Sequence, residues 1–136
     1  MKYTILTTLS LLIFHFGINA QNIEGEYTHY ISKVLGAYRI SMESTLELKK
    51  IDNNTYNYTL TETVIDEYNG GTPSTKSSNG KLNKLSSLKF KFNGGSLGEK
   101  GAYISFKIAP KPPINNVSVF FAPGRGDTRN FTRKDE

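Results

Sequence analysis

The chain of 136 residues contains no cysteine and no tryptophan, only two methionines, and only two histidines, one of which, His15, falls in an N-terminal apolar run. Without cysteine there is no disulfide framework, no thiolate zinc site, no thiol nucleophile and no lipid-modified N-terminal cysteine. The remaining histidine, His29, cannot build a three- or four-ligand zinc site, and the acids show no calcium-loop spacing, so neither a metal nor a cofactor is expected. Hydrolase chemistry needs a nucleophile with a base in reach or two carboxylates of divergent acidity. Here there is no recognisable nucleophile elbow, and Glu24, Glu26 and Glu62 are the only acids able to face one another across neighbouring strands, so the reading is non-enzymatic.

Long hydrophobic runs are missing beyond residue 20. The first twenty residues combine Lys2, an apolar stretch from Leu6 to Phe16 and Ile18-Asn19-Ala20 before Gln21, the pattern of a secretory signal peptide. The apolar stretch is shorter than the roughly 20 residues of a membrane span. A secreted or periplasmic location and a single domain over 21–136 follow as expectations, with no stable membrane insertion. Removing the leader takes Lys2 and no acid, so the net charge falls from +5 to +4. The lysines alternate along strands and read as one solvated face. Phe90 and Phe92 fall opposite Lys89 and Lys91, against a nucleic-acid surface of interleaved cations and aromatics.

Helical spacing is also absent for more than a turn or two, whereas period-two alternation dominates from residue 22 onward. A first strand over about 22–32 puts Ile23, Gly25, Tyr27, His29 and Ile31 on its inner face. A second run aligns Tyr38, Ile40, Met42, Leu46 and Leu48; a short helix at 32–39 competes with it, and the alternation favours strand. Asp52-Asn53-Asn54 marks a hairpin into a third strand at 55–67, with Tyr56, Tyr58, Leu60, Glu62 and Val64 on one face and a threonine ladder on the other. Residues 69–80 read as a mobile polar loop. Strands follow near 81–92, with Leu88, Phe90 and Phe92 inward, and near 102–109, with Ile104, Phe106 and Ile108 inward; between them lies a Gly-rich turn at 94–101. Val117, Val119 and Phe121 mark a sixth strand, a turn follows at Ala122-Pro123-Gly124, and Asn130-Phe131-Thr132-Arg133 closes the series. The sum is an all-β, antiparallel up-and-down meander of six to eight strands, a small barrel in preference to a β-sandwich because the second and third strands are so long.

Gly25-Glu26-Tyr27 resembles the Gly-x-Trp/Tyr opening of lipocalin-like barrels. With Thr45-Leu46-Glu47-Leu48, Asn54-Thr55-Tyr56-Asn57-Tyr58, Gly80-Lys81-Leu82 and Asn130-Phe131-Thr132-Arg133-Lys134, residues 22–134 resemble small secreted lipocalin-like (calycin-type) proteins of Gram-negative Bacteroidota. The resemblance implies a barrel with an apolar-ligand cavity and carries over no catalytic residue.

Two functions remain open at this level. One is a binding protein that holds a small apolar ligand inside the barrel, with Tyr27, His29, Tyr38, Met42, Tyr58 and Glu62 as ligand-binding residues and His29 and Glu62, joined by Lys50 or Tyr38, as its polar anchor. The other is a protein–protein module or inhibitor with a filled core, acting through loops 69–80 and 94–101 and the aromatics Tyr30, Tyr68 and Phe120. Against the sharper site stands a plainer reading, in which His29 and Glu62 lie near strand ends in solvent. Arg125-Gly126-Asp127 and the Asn-x-Ser/Thr triplets at Asn53, Asn57, Asn116 and Asn130 read as turn and strand polar positions.

Overall fold

The computed structural model describes residues 22–122 and 127–134. The leader expected over 1–20, and Arg125 and Gly126 of the Arg-Gly-Asp triplet, lie outside the described residues, as does the turn after Ala122. Eight strands follow in chain order: β1 (Gly25–Leu35), β2 (Tyr38–Lys50), β3 (Thr55–Asp66), β4 (Ser74–Lys84), β5 (Lys89–Asn93), β6 (Tyr103–Ser105), β7 (Asn116–Ala122) and β8 (Asp127–Arg133). Each pairs antiparallel with the next and β8 returns to β1, which closes the barrel. The only α-helix among the described residues, α1 (Gly95–Glu99), sits between β5 and β6. None is long and apolar enough to cross a membrane.

Alternation fixes the register, because a slip of one residue would turn every inner side chain outward. Cross-strand pairing sorts the inner positions of β1–β4 into rows. Lys50, Tyr56 and Leu82 form the lowest; above it come Gly25, Leu48, Tyr58 and Gly80, then Tyr27, Leu46, Leu60 and Ser78. From the other side of the barrel Phe90, Phe92, Ile104, Val117, Val119, Phe121 and Phe131 complete a core in which all are essentially buried. The hairpin at Asp52–Asn54 is present, with the Ile51 and Asp52 amides both donating to the Thr55 carbonyl. The threonine ladder is also present: Thr61 meets Ser77 and Thr63 meets Thr75, each at 3.0 Å.

That ladder overturns the mobile loop expected at 69–80. A single turn of 3₁₀-helix spans Glu67–Asn69, and from Ser74 the chain is strand, paired with β3 from Val64↔Ser74 to Thr55↔Asn83. Small hydroxyl side chains need no apolar anchor when a neighbouring strand supplies both backbone and side-chain partners. Three further corrections concern where strands stop. The strand expected at 81–92 is broken between β4 and β5, which leaves Leu88 exposed. β6 ends at Ser105, where its partner β5 begins, so Phe106 still packs on the core but Ile108 is 82% exposed. The Gly-rich turn at 94–101 contains α1, which buries Leu97.

The barrel is tall on one side and short on the other. β1 and β2 pair as far as Leu35↔Tyr38, but β8 accompanies β1 only at Tyr27 and Thr28. β5 likewise accompanies β4 only at Lys81–Lys84. The upper halves of β1–β4 therefore rise above the short strands as an open four-stranded sheet whose concave face continues the barrel interior.

Candidate functional site

At the base the interior is sealed. Arg133 lies over the Tyr27 ring, 5.0 Å from its centroid, and donates to the Ile114 carbonyl (2.7 Å), the Glu24 carbonyl (3.1 Å) and the Tyr27 hydroxyl (2.9 Å). Tyr27 in turn donates to the Ile23 carbonyl at 2.8 Å. A Cβ at Gly25 would come within 2.5 Å of the Arg133 guanidinium, so glycine is required for this seal. Burial pushes the Tyr27 phenol above its ordinary value, with the Arg133 charge opposing. Burial also raises Tyr56, whose hydroxyl accepts from the Ile23 amide.

Tyr58 marks the top of the filled region on the β4 side. Its hydroxyl donates to the Gly94 carbonyl at 2.7 Å and accepts from the Leu97 amide at 3.2 Å, pinning α1 against β4. Gly95, at a φ of +62°, lies too close to the Asn79 carbonyl and Tyr58 hydroxyl to carry a side chain.

Above the Tyr27 row the inner face becomes polar. His29, Ser44, Glu62 and Lys76 are aligned across β1–β4. Glu62 is held by Arg129 of β8, Oε1 to Nη1 at 3.0 Å, and the guanidinium stacks 4.0 Å from the Phe121 centroid. The Nδ1–H of His29 donates to the Asn130 carbonyl at 2.9 Å, covering β8 where its pairing with β1 ends. Ser44 is fully buried and its hydroxyl has no hydrogen-bond partner among the described residues. An open pocket of about 340 Å³ lies beside this row, where β5 leaves β4 and α1 takes its place; Leu60, Glu62, Lys76, Ser78, Ser96 and Lys100 line it.

Higher still the concave face turns apolar again. Ile31, Met42 and Val64 share one row; Ile40 lies between Lys33 and Asp66 in the next, and Leu35 pairs with Tyr38 at the tip. Tyr68 folds over that tip edge-on to Tyr38, with ring centroids 5.3 Å apart. A second open pocket, about 410 Å³, runs along Leu35, Tyr38, Ile40, Asp66 and Tyr68.

Of the six residues expected to bind ligand, His29, Tyr38, Met42 and Glu62 share this concave face, whereas Tyr27 and Tyr58 are buried below it as core and seal. Lys50 is at the opposite end of the barrel, its amide donating to Glu24 Oε2 at 2.7 Å. Arg129, Lys76, Lys100 and Ser44 were not singled out by sequence reasoning. Lys76 was within reach: extending the parity of Leu82 back along β4 puts it on the inner face. Arg129 reaches Glu62 only through barrel closure, which no local pattern encodes.

On the outer surface Lys89 lies 4.5 Å over the Tyr103 ring, and Tyr103 stacks on Phe120 at 4.8 Å. Aromatics thus do join the lysines there, supplied by neighbouring strands. The Asn-x-Ser/Thr asparagines Asn116 and Asn130 accept hydrogen bonds from Thr132 and Ser118 across β7–β8. No family model, curated protein or solved structure matches the chain.

Proposed function

We propose that this is a non-enzymatic binding protein, exported to the periplasm or beyond the cell, that takes a small apolar ligand on the concave face of its tall sheet. The observation that carries the reading is Ile31, Leu35 and Tyr38 standing 53, 48 and 46% exposed at inner positions of the β1–β2 arm, over a core already filled. Large apolar side chains left open together on one face of a folded domain mark an interaction surface. The lipocalin-like resemblance of Gly25-Glu26-Tyr27 supports the same class of function, with the ligand seated above the filled aromatics and not among them. The test is displacement of an environment-sensitive apolar dye, with native mass spectrometry of protein purified from its host. A bound lipid-like molecule, and loss of dye binding in Met42→Glu, are the expected outcomes; an empty protein that leaves the dye unaffected overturns the reading.

A protein partner is the second reading, favoured by Tyr30 and Val34. Both are 62% exposed on the outer face of the same arm, so the β1–β2 hairpin is apolar on both sides.

A further inference from the structure

We propose that the pocket between β4 and α1 is a second binding site, for a small carboxylate that also carries a hydrogen-bond donor. Glu62 and Lys76 stand directly opposite each other on paired strands, the arrangement in which unlike charges ordinarily close. Here they do not, because the Glu62 carboxylate is turned to Arg129. Among the described residues neither Lys76 nor Lys100 has an acidic partner within 4 Å. The lining therefore carries two lysines and one carboxylate, and that carboxylate is already paired with Arg129 from outside it, which leaves the pocket with an excess of positive charge. The Ser78 hydroxyl accepts from the Ser96 amide at 2.7 Å, which leaves its own proton free to donate. The lining thus offers two ammonium groups and a hydroxyl to an anion, the second Glu62 oxygen to a donor, and Leu60 as an apolar floor. At about 340 Å³ the space is at the small end of ligand pockets. Ser44, next to Glu62 on β2 with its buried hydroxyl unpartnered, belongs to the same polar row. The site is independent of the apolar face, none of whose side chains line it.

Isotope-labelled protein titrated with 3-phenyllactate, its methyl ester and 3-phenylpropionate separates charge from hydroxyl. The acid is expected to give saturable amide shifts confined to Lys76–Ser78 and Ser96–Lys100. The ester, lacking the charge, should bind at least about tenfold more weakly, and phenylpropionate, lacking the donor, about threefold more weakly. Lys76→Gln and Lys100→Gln should each weaken the acid by roughly three- to tenfold at low salt, with the rest of the spectrum unchanged. Equal binding of acid and ester, shifts centred on other residues, or no saturable shift overturns the proposal.

Discussion

Follow β2 from one end to the other and two different molecules come into view. At Leu46 and Leu48 the inner side chains meet Tyr27, Tyr58 and the phenylalanines of the short strands, and nothing is accessible. From Met42 to Tyr38 the same strand, with the same alternation, faces an open concavity. What differs is the opposite wall: β5 and β6 are five and three residues long, against thirteen for β2. Burial in a barrel is a property of the pair of walls, and a strand pattern describes only one of them.

The comparison breaks most sharply with Phe92→Ala, which removes a fully buried ring from the lower half and should cost about 3–5 kcal/mol in urea unfolding. Arg133→Met comes next. It strips partners from the Ile114 and Glu24 carbonyls and the Tyr27 hydroxyl, and about 2 kcal/mol is expected from the same measurement. Alkaline titration of stability also reads the lower half. Tyr27 and Tyr56 are held above the ordinary phenol value, so as pH rises past about 10 the unfolded chain ionises first. The stability they contribute is complete below that pH and is lost as pH climbs through their folded values. A urea midpoint that falls in this range, and falls less in Tyr56→Phe, is the expected result. Ile31→Ser in the upper half, at a position 53% exposed, should change stability by less than about 0.5 kcal/mol while weakening apolar dye binding. A loss as large as that of Phe92→Ala would mean the two halves are one core.

Alternation was enough to read strands and faces, and the length of the second and third strands favoured the barrel: Tyr56, Tyr58 and Leu60 are inward as expected, and Asp52–Asn54 turns the chain. Strand ends were less legible, since Leu88 and Ile108 follow the inward pattern but have run past their partners. Only residues 81–84 of β4 were read as strand; its upper half was missed because it carries no large side chain and is specified by hydroxyl pairing with β3. The concave face was partly legible through His29, Tyr38, Met42 and Glu62. Its charges were not, since Arg129 and Glu62 are 67 residues apart and meet only when the last strand returns to the first.

The uneven walls leave two strand edges without a strand beside them, β1 above Thr28 and β4 above Lys81. Such edges invite a strand from another copy, the usual start of aggregation. Each carries one lysine at an inner position, Lys33 on β1 and Lys76 on β4. A strand added at either edge would have to lie beside that ammonium group, and charge on an edge strand discourages such pairing. Charge at these two positions therefore counts against polymerisation through the open half.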